Sequence, residues 1–207
     1  DATHGDTLFP ASLLHFLMPV YRGMGHKLLL HIFLAGAFMG FYLRTFGLRP
    51  VAVWWGAFAY MLSPIFVSYV YAGQDGKMYV VSLLPLVLGL LERGMRTGSA
   101  RTFSLLGLSI GLSILSAHIQ MAYHLMWFVA GVFVLRLFFP LAGAEPLTGT
   151  GRIRRAGLFG GALALGLLLA AIQLLPAVAY VKDPAGFSVR STKTDYEHAT
   201  SWCLHPE

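Results

Sequence analysis

Charge is what this 207-residue chain has least of: only 12% of its residues are Asp, Glu, Lys or Arg, while 57% are hydrophobic. Soluble domains carry about a quarter charged residues. A surface this poor in charge excludes a soluble enzyme, and the excess of apolar residues excludes intrinsic disorder. There is one cysteine, Cys203, so neither an internal disulfide nor a cysteine metal cluster exists. Equally absent are HExxH, a Gly-rich phosphate loop ahead of Lys-Ser/Thr, GxSxG and CxxC. His15, His26 and His31 show no ligand-like clustering with carboxylates on one helix face, so no metal site is assigned, and no cofactor is evident.

What is present is a series of long apolar runs, at 28–46, 51–71, 78–91, 103–117, 119–139 and 156–181. A spanning helix needs about 20 such residues. The fold class expected is therefore all-α, a polytopic transmembrane bundle of about six spanning helices. The net charge of +6 gives no reason to invoke nucleic acid, because the basic residues sit in short clusters between apolar runs. Between Thr102 and Leu135 there is no Asp, Glu, Lys or Arg, which leaves one long helix or a hairpin of two. Arg44 and Arg49, then Arg93, Arg96 and Arg101, then Arg136, Arg152, Arg154 and Arg155 all fall on one side only if the chain turns back near 116–120. The tendency of cytoplasmic loops to carry Lys and Arg selects the hairpin, with both ends of the chain outside.

That topology sorts the remaining polar residues. Asp1, Asp6, Asp75, Asp183, Asp195, Glu197 and Glu207 fall on the outer side, and only Glu92 and Glu145 on the inner. All eight histidines lie in outer loops or at outer span ends. Residues 9–18, bounded by Pro10 and Pro19, are too short to cross and suit a juxtamembrane helix in the outer interface. The expected organisation is 1–27 as an outer loop with this helix, 28–181 as the six-span domain, and 182–207 as the start of an outer polar segment. Both ends fall in polar sequence, so the chain is expected to be part of a longer protein. Small residues four apart, at Gly36/Gly40, Gly107/Gly111 and Gly157/Gly161, are expected to be packing notches between helices. The scattered methionines read as core filler.

Two outer loops have the residue types for chemistry. In Ala72–Lys77 (AGQDGK), Asp75 stands two residues before Lys77. Such a pair suits a base that takes a hydroxyl proton beside a cation that holds a phosphate; the plainer reading is a turn that caps a helix. In 116–123 (SAHIQMAY), His118 and Gln120 stand at the tip of the hairpin, either as interface residues or as site residues. His31 reads as a helix–helix hydrogen-bonding residue. The sixth span carries Gln173, Pro176 and Tyr180 before Lys182.

The succession GDTLFP, an LxxLxP juxtamembrane helix, HKLLLHIFLAG, YLRTFGL, SPIFVSYVYAGQDGKMYVVSLLPLVLGLLER, SAHIQMAYH, AIQLLPAVAYVKD and DYEHATSWCLHPE resembles the YfhO-like bacterial membrane proteins. These are similar to the GT-C superfamily of polytopic glycosyltransferases. The resemblance implies transfer of a sugar from a polyprenyl-phosphate donor to a glycan or cell-envelope acceptor, at the outer face of the bacterial inner membrane. It further implies an acid in the first outer loop, where Asp6 is in register, and a second candidate in Asp75. Lys77, His118 and Gln120 match later outer loops lining the donor and acceptor cleft, and Lys182 and Arg22 are further candidates for holding the phosphate. The alternatives are a non-catalytic membrane scaffold, or a transporter, which would need polar residues deep in several spans.

Overall fold

The structure, a computed structural model, describes residues 6–116, 118–140 and 146–182. A 3-10 turn at Pro10–Leu13 leads into the short helix α1 (Leu14–Leu17), and α2 follows over Val20–Arg44. Then come α3 (Pro50–Met61), α4 (Pro64–Tyr71), α5 (Asp75–Thr97), α6 (Ala100–Leu115), α7 (Ile119–Phe138) and α8 (Gly149–Lys182). The described residues contain no strand. The fold is an all-α membrane bundle.

Five segments are long and apolar enough to cross a membrane: Val20–Arg44, Pro50–Tyr71, Asp75–Thr97, Ile119–Phe138 and Gly149–Ala179. α6, with 16 residues, is shorter. At 1.5 Å per residue it reaches only about 24 Å. It has little need to match the lipid, because it packs against α5, α7 and α8 and buries ten of its residues.

Side-chain pairs fix the direction of each helix. Tyr79 of α5 lies against His31 of α2, and Gly89 lies against Phe41 and Tyr42, so these two helices run parallel. α3 returns antiparallel to α2, bringing Val53 and Ala57 to Gly40 and Met61 to Gly36. α6 runs antiparallel to α5, with Phe103 on Gly94, and α8 runs parallel to α6, with Gly107 on Ala162 and Gly111 on Gly166 and Leu169. α7 is parallel to α5, since Arg136 reaches Glu92. The chain thus traverses the bundle six times, and the turn expected at 116–120 is the break between α6 and α7.

Consequently the bundle has two unlike rims. The ends of α2, α5 and α7 and the starts of α3, α6 and α8 carry Arg44, Arg49, Arg93, Arg96, Arg101, Arg136, Arg152, Arg154 and Arg155. The opposite rim holds Asp6, Asp75 and His118. α5 occupies the centre, touching α2, α4, α6 and α7. Its apolar residues Val80, Val87, Leu91 and Met95 join Phe103, Leu106, Ile110, Ala122, Leu125, Val129 and Phe159 in the main core.

Several sequence boundaries shift. α2 begins at Val20, not near 28, because Pro19 starts the helix and its first two turns carry Arg22, His26 and Lys27. The run 51–71 is two helices, since Pro64 starts a new helix after Ser63. The third span reaches from Asp75 to Thr97, where Gly98 takes a left-handed φ of 61° and its N–H donates to the Gly94 carbonyl at 2.8 Å. Of the three glycine pairs, Gly36/Gly40 and Gly107/Gly111 do admit a neighbouring helix. Gly157 and Gly161 do not: a Cβ at either would meet nothing within 4 Å. Spacing alone does not tell which face of α8 meets a neighbour.

Candidate functional site

Lys27 is 1% exposed in a helix that crosses the bundle, and an unpaired ammonium there would be prohibitively costly. Its partners come from the segment ahead of α2. The Phe9 N–H and the Ser12 hydroxyl both donate to the Asp6 carbonyl, at 2.9 and 2.6 Å, closing residues 6–12 into a compact turn. That turn lays the Asp6 carboxylate on the Lys27 ammonium as an ion pair. Lys27 Nζ also donates to Ser12 Oγ at 3.2 Å and lies 3.5 Å from His15 Nε2. The fourth side of the ammonium is the Tyr79 ring, whose centroid lies 5.4 Å away.

The cluster continues inward through aromatic rings. Phe9, buried, stacks on Tyr79 with centroids 5.2 Å apart and leans on His31 at 5.4 Å; His31 and Tyr79 are 4.2 Å apart. His31 Nδ1 bonds within its own helix, to the Lys27 carbonyl at 2.7 Å. Its cross-helix role is therefore ring packing, not the interhelical hydrogen bond expected.

Tyr79 connects this group to the second acid. Its hydroxyl donates to Asp75 Oδ2 at 3.2 Å, one helical turn back, and Asp75 Oδ1 accepts the Gly76 N–H at 2.9 Å. Asp75 is the first residue of α5, after an N-cap Gln74 that makes no side-chain cap bond, and it remains partly exposed. The two acids are brought to one site by Lys27 and Tyr79.

The other sequence candidates surround that site less closely. Lys77 is half-buried on the first turn of α5, and Arg22 is exposed on the first turn of α2 with its guanidinium 5.7 Å from the Tyr21 ring. Leu115 packs with Phe9, Tyr79 and Leu83, so the α6–α7 turn leaves the bundle beside the cluster. His118 begins α7, accepting the Met121 N–H at Nδ1 over 3.3 Å, and Gln120 is exposed one residue into the helix. Lys182 is exposed at the end of α8. Asp1, Asp183, Asp195, Glu197 and Glu207 lie outside the described residues, as do His4, His198 and His205.

Sequence reasoning missed Lys27, Ser12, His15 and Tyr79. A signal existed for two of them: Lys27 is a charge at the head of an apolar run, four residues before His31, and Tyr79 stands four residues after Asp75. Among the described residues, no group of three or more His, Cys, Asp or Glu side chains is placed to hold a metal ion.

The arrangement provides a carboxylate with lone pairs to spare (Asp75), an acid already neutralised by a buried cation (Asp6), and three cationic side chains on the surrounding rim. Comparison with family models, with curated proteins and with solved structures found no match to this chain.

Proposed function

We propose that the chain is the membrane-embedded part of a GT-C-like glycosyltransferase that resembles the YfhO-like proteins. In this reading it moves a sugar from a polyprenyl-phosphate donor to a glycan or cell-envelope acceptor at the outer face of the bacterial inner membrane. The observation that carries the reading is the convergence of Asp6, Lys27, Tyr79 and Asp75 at the rim that also holds Lys77, Arg22 and His118. A lipid-linked sugar keeps its tail in the bilayer and its phosphate at headgroup depth, so its reactive bond lies at such a rim.

The chemistry divides between the two acids. Asp75 takes the proton of the acceptor hydroxyl as its oxygen attacks the anomeric carbon. The bond from that carbon to the phosphate oxygen breaks, and polyprenyl phosphate leaves with the electron pair. Lys77, Arg22 and Lys182 stabilise the charge that develops on it. Asp6, bound to Lys27, holds the juxtamembrane turn in place over Tyr79, which in turn orients Asp75. His118 and Gln120, at the mouth of the same rim, contact the acceptor.

The test is turnover of labelled polyprenyl-phosphate sugar by the full-length protein in liposomes. Asp75→Asn is expected to lower transfer by about 10²–10⁴-fold while leaving insertion intact. Wild-type rates in that variant would remove Asp75 from the mechanism. Absence of turnover by the wild-type protein across a panel of lipid-linked sugars would favour the scaffold reading, which has its own support in the structural use of Asp6 as the counter-ion of Lys27.

A further inference from the structure

The arginine rim has a charge excess that its own residues do not balance. Among the described residues it carries nine arginines and no lysine, since Lys27, Lys77 and Lys182 stand toward the other rim; Lys193 lies outside the described residues. Glu92 is its carboxylate among the described residues, 1% exposed and engaged by Arg136 Nε at 2.7 Å. Glu145 lies outside the described residues.

At the junction of α5, α6 and α8 this excess is concentrated. Arg155 Nε donates to the Met95 carbonyl at 2.6 Å, while its Nη2 and Nη1 reach the Arg96 and Gly151 carbonyls at 3.4 Å each. The guanidinium is thereby fixed across the end of α5. Arg154 comes to the same place: a Cβ built on Gly98 would lie 3.4 Å from Arg155 Nη2 and 3.7 Å from Arg154 Nη1. Two guanidinium groups thus approach one glycine, that of Arg155 fixed by its bonds and that of Arg154 exposed. One turn earlier on α8, Arg152 has a buried Nε with no hydrogen-bond partner, its guanidinium 5.3 Å from the Phe138 ring. A buried guanidinium N–H without a partner, within one turn of two further arginines on α8, is unfavourable unless an anion is present.

The geometry points to a binding site for the phosphate of an anionic phospholipid at the first turns of α8, formed by Arg154 and Arg155 beside the Gly98 turn and by Arg152 one turn earlier on the same helix. The rim of a membrane-crossing bundle lies at headgroup depth, where anionic headgroups are the abundant phosphates. The planar arginine fork matches a phosphodiester in a way that lysine does not, which fits the absence of lysine here. The site stands apart from the acid cluster and does not depend on the proposed reaction.

The test compares the full-length protein in nanodiscs of phosphatidylcholine alone and with phosphatidylglycerol, following thermal stability and lipid retention by native mass spectrometry. Phosphatidylglycerol is expected to raise the melting temperature and to be retained as one tightly held molecule. Arg152→Gln with Arg154→Gln is expected to weaken retention by about tenfold or more. Arg49→Gln with Arg101→Gln removes the same charge elsewhere on the rim and is expected to change retention by less than about twofold. If the first pair fails to fold, Arg154→Gln alone, an exposed position, is read instead, with the same direction expected. Equal losses in both pairs would reduce the effect to diffuse attraction and overturn the site. Equal retention of phosphatidylcholine would also overturn it. So would the same stabilisation by inorganic phosphate in phosphatidylcholine discs, which would assign the arginines to a soluble anion.

Discussion

Asp6→Asn is expected to destabilise the protein by about 3 kcal/mol or more, because it leaves the Lys27 ammonium buried without its counter-ion. The cost should be asymmetric. Lys27 is 1% exposed whereas Asp6 is 25% exposed, so Lys27→Met leaves a carboxylate that water can still reach, and should cost less. The double variant Asp6→Asn/Lys27→Met should recover most of the loss, since a methionine of similar length suits the ring face of Tyr79. Thermal melts of the four proteins in detergent form the cycle. Additive losses would show that the ion pair does not hold the juxtamembrane turn. The proposed transfer activity, if measured on the same four proteins, separates roles: a double variant that is stable but inactive beside an active wild type would mean that the pair positions the site as well as the fold.

The second large effect is expected at the α6–α8 crossing. A Cβ at Gly107 would stand 2.5 Å from the Ala162 carbonyl oxygen, and one at Gly166 would stand 2.8 Å from the Gly107 oxygen. Both obstacles are backbone, which cannot rotate out of the way. Gly107→Ala must therefore push the two helices apart, at about 1–3 kcal/mol, and Gly107→Val should prevent stable folding. Gly157→Ala and Gly161→Ala, on the open face of α8, should be neutral or slightly stabilising through helix propensity. Unfolding in graded denaturing detergent distinguishes these outcomes. Similar losses at Gly107, Gly157 and Gly161 would contradict the packing described here.

How far the sequence reveals this molecule depends on which interactions run along the chain. The apolar runs and the one-sided placement of arginines are local, one-dimensional signals, and they suffice for the all-α class, the hairpin at 116–120 and the shared rim of Asp75 and His118. The pairing of Asp6 with Lys27 is not of that kind. It spans 21 residues and depends on the Ser12 and Phe9 hydrogen bonds that fold the leading segment back over α2. In the sequence, Lys27 merely stands before an apolar run, and a boundary drawn at 28 places it in a loop. Gly157/Gly161 and Gly107/Gly111 have identical spacing; only the direction of each face, a tertiary property, separates them. Asp75 was legible because its loop is short and glycine-flanked, whereas Tyr79 was hidden among the apolar residues of α5.

The central claim is that the acids and histidines of the site share one membrane face and the nine rim arginines, Arg44 to Arg155, the other. Single cysteines at the exposed positions Gln74, Gln120 and Thr97, each in a Cys203→Ser background, test it through labelling of sealed vesicles with a membrane-impermeant thiol reagent. Cysteines at 74 and 120 should be labelled from the same face, and the cysteine at 97 only from the other. Labelling of 74 and 120 from opposite faces would contradict the account.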